Sequence, residues 1–131
     1  MRIKRRNGFT LLEVVAALAV IALVAVAALA MVGQQLNVAS RARQIARAQG
    51  LATQRMAMLR LLTSSEVQSL PDTIANGRFP YPDNAFTWHV VSAAVANDDY
   101  LSDVQIEVRW SDGAYTLRTR LYAPPGADPV T

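Results

Sequence analysis

A single carboxylate, Glu13, stands inside an otherwise apolar run that extends from Phe9 to Val32. An ionised carboxylate in a membrane helix costs about 2.5–3.5 kcal/mol on insertion scales, so a chain that keeps one there has a use for it. The other groups with chemical potential lie far along the sequence. Asp98, Asp99 and Asp103 fall close together and could offer oxygen to calcium. That ion usually takes about six to eight oxygen ligands, and three acids around Leu101 are few. Arg109, Arg118 and Arg120 share one face of an alternating pattern and could touch nucleic acid, but Glu107 lies on the same face and the surroundings are acidic. A solvated face is the better reading. His89 stands alone and reads as structural, and Ser111-Asp112-Gly113 reads as turn chemistry. The sequence holds no nucleophile motif, no glycine-rich phosphate loop and no paired metal-ligand spacing. With no cysteine among 131 residues, it holds no disulfide or thiolate site either. The expectation is a protein that is not an enzyme and carries no metal or cofactor.

Charge points the same way. The formal net charge is +3, but Arg2, Lys4, Arg5 and Arg6 supply four positive charges in the first six residues. Removing residues 1–8 leaves nine of the 13 basic residues against ten acids, a net of −1. The basic character therefore belongs to the leader. Beyond it the charge is polarised. Arg41, Arg43, Arg47, Arg55 and Arg60 lie between residues 34 and 62 with no acid among them, whereas residues 63–131 hold nine acids and four basic residues. A basic stalk is expected to carry an acidic head.

The elements that position Glu13 follow from hydropathy. No charge falls between Val14 and Gly33. The stretch from Phe9 to Gly33 would span about 37 Å as a helix, enough to cross a bilayer. An ordinary secretory signal with cleavage after Ala30, at Ala28-Leu29-Ala30, is the competing reading and would release a soluble periplasmic binding domain. Glu13, the length of the apolar stretch and the helix-favouring sequence past Gly33 weigh against it.

Gly8-Phe9-Thr10-Leu11-Leu12-Glu13-Val14, set between a basic leader and an apolar helix, resembles the N-terminal motif of type IV pilins and type II secretion pseudopilins. The resemblance implies a membrane-embedded aspartyl peptidase that cuts after Gly8 and then N-methylates Phe9. Cleavage before the apolar segment leaves the anchor in place. The cationic leader would hold the N-terminus in the cytoplasm, in competition with Arg41, Arg43 and Arg47. The new amine at Phe9 would pair with Glu13 of the same or a neighbouring subunit during assembly, since a buried carboxylate is tolerated when paired. The alternative is that Glu13 snorkels to the interface. Thr10 could bond within its helical turn or simply be tolerated. The alanines from Ala16 to Ala30 either permit close helix approach in lipid or only supply hydrophobicity.

Past Gln34 the pattern turns amphipathic. Ile45, Ala48, Ala52, Met56, Leu59 and Leu62 recur at steps of three or four. One helix is expected from about residue 9 to 62, with Gly33 and Gly50 as weak points. Met56 and Met58 read as packing residues. Residues 63–85 are punctuated by Pro71, Asn76-Gly77, Pro80 and Pro82 and read as loop. Three strands follow, through Phe86–Val90, Val104–Trp110 and Tyr115–Leu121. Asp112-Gly113 predicts a two-residue hairpin turn pairing Trp110 with Tyr115, Val108 with Leu117 and Glu107 with Arg118. The apolar sheet face needs a cover, and the amphipathic half of the helix is the candidate.

The expected architecture is α+β and pilin-like: a long N-terminal helix packed on a small antiparallel sheet. It divides into a leader (1–8), a transmembrane segment (9–33), a stalk (34–62) and a periplasmic head (63–131). Within the family, the chain departs from many type IV pilins in lacking cysteine, and from major pilins in carrying Ala30 where they commonly have a helix-kinking proline. It departs from pseudopilin subunit K in retaining Glu13. Phe86-Thr87-Trp88-His89-Val90, the stretch from Leu101 to Trp110 and the hairpin to Tyr122 are similar to the type II secretion minor pseudopilin subunit I. That implies a bacterial inner-membrane protein with subunits J and K, the major pseudopilin and the prepilin peptidase as partners, and no nucleic acid. A minor pilin of a type IV pilus or a subunit of a DNA-uptake filament would share the N-terminal motif.

Overall fold

No proline and only two glycines, Gly33 and Gly50, interrupt residues 11–59, and the computed structural model shows this stretch as one helix, α1 (Leu11–Leu59). The structure describes Gly8 and residues 10–125. The helix ends without a glycine. Leu61 and Leu62 instead donate to the carbonyls of Met58 and Leu59, both at 3.1 Å, the tightened bonding that occupies otherwise orphaned carbonyls at a helix end. After it come α2 (Ser64–Gln68), α3 (Asp72–Ala75), β1 (Asn76–Arg78), β2 (Thr87–Val95), β3 (Asp98–Trp110) and β4 (Gly113–Tyr122). The strands form one antiparallel sheet in the order β1-β2-β3-β4. The chain divides into two compact units, Met1–Arg41 and Ala42–Thr131.

The second unit holds the core. Ala48, Leu51, Ala52, Met56 and Leu59 of α1 are buried with Val90, Val104, Ile106, Val108 and Leu121 of the sheet. Ala48 and Ala52 let the helix backbone lie close to the sheet, and Val67, Phe79 and Phe86 close the same core from α2 and the β1–β2 loop. Helix on sheet is thus the α+β arrangement expected from the pattern. Leu51 belongs to the buried face, whereas Ile45 is half exposed. Ile106 is fully buried. Ile106→Ala is expected to destabilise the unit by about 2–5 kcal/mol, read as the thermal midpoint of the processed chain in detergent.

Three expectations are corrected. Residues 63–85 are not a loop throughout, for they contain α2, α3 and β1. The helix α2 starts where the amide and hydroxyl of Thr63 both donate to Glu66 Oε2 at 2.9 Å. The spacing Thr63-x-x-Glu66 signals such a start in sequence. The sheet accordingly has four strands, not three. Third, the last hairpin turns at Ser111-Asp112, so that Trp110 pairs with Gly113, Val108 with Tyr115 and Ile106 with Leu117. A slip of two residues keeps every side chain on its face but changes every partner. Glu107 consequently faces Thr116 instead of Arg118, and its ion pair is with Arg109.

Gly113 explains the register. Among the described residues no glycine has a positive φ, so Gly113 does not serve the turn. A Cβ on it would lie 2.4 Å from Cζ2 of Trp110, whose indole covers the glycine across the strand pair. Gly77 repeats the device, with a built Cβ at 2.3 Å from Cζ2 of Trp88, its partner on β2. The two differ in how firmly the indole is held. Trp88 donates its Nε1 hydrogen to the Ile74 carbonyl at 3.1 Å, meets Phe79 edge-on at 4.7 Å and carries the Arg55 guanidinium 3.6 Å from its ring centroid. Trp110 has the looser Phe86 contact at 5.9 Å. Gly77→Ala should therefore cost about 1–3 kcal/mol through overpacking, and Gly113→Ala distinctly less. Thermal melts of the two variants followed by near-ultraviolet dichroism test that order.

Candidate functional site

The N-terminal end of α1 is built by Thr10. Its Oγ1 accepts from the Glu13 amide at 3.3 Å and its carbonyl accepts from the Glu13 and Val14 amides. Thr10 therefore caps the helix with its own side chain. Glu13 stands at the third helical position, in the first turn where the helix dipole favours a negative charge. It is exposed, and among the described residues its carboxylate has no ion-pair partner. Gly8 precedes the cap and is exposed. Among the described residues a Cβ added there would meet nothing within 4 Å, so their packing sets no demand for glycine at that position. Phe9 and the leader cations Arg2, Lys4, Arg5 and Arg6 lie outside the described residues.

The unit that follows presents apolar side chains all round. Leu11, Leu12, Val15, Leu18, Ile21, Leu23 and Leu29 are all more than half exposed, as are Val20, Val24 and Val26. A helix apolar on every side is made for a membrane or for neighbouring helices. By length and composition α1 is long and apolar enough to cross a bilayer. It runs unbroken through Ala28-Leu29-Ala30, where the competing signal-cleavage site was read.

The chemistry considered elsewhere in the chain does not assemble. Asp98 Oδ1 accepts from the Tyr100 amide at 3.0 Å, and Asp103 lies within β3 with the Arg120 guanidinium 2.9 Å away. All three aspartates lie within β3 and not in a loop, and among the described residues no group of three or more ligands is placed to hold a metal. His89 Nδ1 bonds Asn76 Oδ1 across β1 and β2 at 2.5 Å, and Ser111 Oγ donates to Asp112 at 2.9 Å. On the outer sheet face, Arg109 is bound by Glu107 and Arg120 by Asp103.

The prokaryotic N-terminal methylation motif matches residues 3–29. No curated protein and no solved structure matches the chain. The matched segment covers Lys4, Arg5 and Arg6, the Gly8–Glu13 motif and most of the apolar run, and it implies processing by prepilin peptidase. With the α+β fold, it supports a pilin-like protein, and among the described residues the one long apolar helix behind such a motif fits a single membrane anchor.

Two positioning contacts carried no sequence signal. Arg47 grips Asp83 with both forks of its guanidinium, Nε to Oδ1 at 2.6 Å and Nη2 to Oδ2, and so fastens the β1–β2 loop to α1. The Arg55 guanidinium lies over the Trp88 ring. Both unions join residues more than 30 positions apart, which periodicity cannot foresee.

Hydrogen bonds also set the acid sensitivity of the second unit. The Arg47 hydrogen bond holds the Asp83 carboxyl below its ordinary range, the Thr63 amide and hydroxyl do so for Glu66, and the Arg109 hydrogen bond does so for Glu107. Each group's folded pKa is lower than its unfolded one. Their stabilisation is therefore complete above the ordinary carboxyl values of about 4 and is lost as pH falls through the lower folded values. The thermal midpoint of the processed chain should be level from about pH 6 to 8 and fall below about pH 4. Asp83→Asn should lower the plateau and flatten that fall, and an unchanged acid profile would count against the clamp.

Proposed function

We propose that the chain is a minor pseudopilin of a type II secretion system. It is processed by cleavage between Gly8 and Phe9 and N-methylation of Phe9, then assembles with other minor pseudopilins (subunits J and K) at the tip of the filament. In this reading residues 9–33 span the inner membrane, residues 34–62 form the stalk and residues 63–131 form a periplasmic head. Glu13 pairs with a Phe9 amine during assembly. The filament that this complex starts, extended by the major pseudopilin, promotes export of folded proteins.

The observation that carries the processing part is the coincidence of the methylation motif with a Gly8 and a Glu13 that are, among the described residues, unpacked and unpaired, at the head of a helix whose first half is apolar. A glycine that the fold does not need is one that an enzyme can need, because an unencumbered backbone fits a peptidase groove. A carboxylate without a partner among the described residues is available to the amine that cleavage creates. The minor-pseudopilin reading is supported by the cysteine-free head, Ala30 in place of a helix-kinking proline, and Glu13, which subunit K lacks; the likeness to subunit I rests on Phe86–Val90, Leu101–Trp110 and the hairpin to Tyr122.

Mass spectrometry of the protein from its native host tests processing. N-methyl-Phe9 is the expected N-terminus, and Met31 there would instead support a soluble domain released after Ala30. Deletion of the gene separates the filaments. Loss of protein export with pili and DNA uptake intact supports the secretion pseudopilus, whereas loss of pili or of DNA uptake with normal export supports a minor pilin or a DNA-uptake subunit.

A further inference from the structure

Beside α3, the second unit opens a pocket of about 170 Å³ lined by Arg55, Met58, Leu59, Leu62 and Ile74. Its one charged wall is the Arg55 guanidinium, stacked on Trp88. Nη1 finds only the Met58 sulfur, at 3.3 Å, and Nε is buried without an acceptor. Among the described residues no carboxylate reaches Arg55, whereas Arg47, Arg109 and Arg120 each have one. Burial pulls the Arg55 guanidinium below its ordinary range, the expected response of a cation taken from water without a counter-charge. Of the apolar residues that line it Met58 is 47% exposed, and Leu61, which precedes the lining Leu62 in sequence, is 85% exposed.

Size and charge select the occupant. Small-molecule sites run from about 300 to 1,000 Å³, so this pocket admits one side chain and no metabolite. The chain's own stalk cannot supply the counter-charge, since residues 34–62 hold five arginines and no acid. We propose that the pocket receives one aspartate or glutamate side chain from an apolar-flanked segment of a different protein chain, its carboxylate bonding Arg55 while its neighbours cover Met58 and Leu61. Arginine and methionine are enriched at interface cores, and a planar guanidinium already oriented on an aromatic ring loses little freedom on accepting a carboxylate. The proposal rests on the filament reading only in needing a neighbouring chain in the same compartment.

The test places the photo-crosslinking analogue benzoylphenylalanine at Leu61 of the full chain in native host cells, with crosslinked peptides sequenced by mass spectrometry. A peptide from another chain is expected, carrying Asp or Glu within about one helical turn of the crosslinked residue. Its yield should fall at least tenfold in Met58→Glu, which alters an exposed rim position, and in Arg55→Glu. Recovery in Arg55→Glu when the partner's acid is changed to arginine would identify the pair. Crosslinks confined to lipid, a peptide without an acid, no crosslink at all, or an unchanged yield in Met58→Glu would each overturn the proposal. Processing to Phe9 and membrane fractionation are scored in the same cells. Their loss in the parent chain counts against the filament reading, and their persistence beside an unaffected crosslink counts against the pocket alone.

Discussion

A Gly8→Leu chain is expected to accumulate as uncleaved precursor in the membrane, with processed protein reduced about 10- to 100-fold. Inserting a bulky side chain into a fitted groove typically costs about 1–3 kcal/mol, and each 1.4 kcal/mol is a factor of ten in rate. The strength of this prediction lies in what the substitution leaves alone. A Cβ at Gly8 meets nothing within 4 Å, and the helix cap belongs to Thr10. The head should fold as before, with an unchanged dichroism spectrum and thermal midpoint, so that a processing defect reports the peptidase and nothing else. The measurement is the ratio of precursor to processed N-terminus by mass spectrometry. Normal conversion of Gly8→Leu would remove the proposed cleavage site.

Glu13→Ala should have the opposite phenotype: normal insertion and normal cleavage, but loss of incorporation into filaments. Insertion should become easier, because a carboxylate costs about 2.5–3.5 kcal/mol in a membrane helix. Helix initiation should hold, because Thr10 Oγ1 bonds the backbone amide of residue 13 and not its side chain. What disappears is the counter-charge proposed for the Phe9 amine. Removing one partner of a buried ion pair typically costs about 3–5 kcal/mol, enough for a loss of incorporation above 100-fold. Glu13→Gln keeps the shape without the charge and should fail in the same way. Filament fractions sheared from cells, probed for the chain beside its total membrane amount, provide the readout. Normal export by the Glu13→Ala variant would show that the carboxylate is dispensable.

The two variants probe the part of the molecule most legible in sequence. An apolar run with one acid near its start, a glycine before it and a basic cluster before that are all patterns of neighbours along the chain. The head was less legible. Its helix-on-sheet arrangement followed from periodicity, and the alternating strands from Trp88 to Leu121 were read on their correct faces. Its register did not follow. Asp112-Gly113 carries the usual signature of a tight turn, yet Gly113 serves as the floor beneath an indole. The same holds at Gly77, whose Asn-Gly dipeptide read as loop and lies in a strand. In both places a tryptophan across the sheet outbid the local turn preference.

By itself, then, the sequence determined the elements whose cause is local: the long helix, its apolar first half, the motif from Gly8 to Glu13, the polarity of charge along the chain, and the covering of one sheet face by Ala48, Ala52, Met56 and Leu59. Only the tertiary structure decided the four-stranded register, the grip of Arg47 on Asp83, the stacking of Arg55 on Trp88 and the pocket beside it. The reason is distance along the chain. Helical and strand periods depend on residues a few positions apart, whereas these contacts join residues that only folding brings together, and partner choice there depends on shape and desolvation that no repeating pattern encodes.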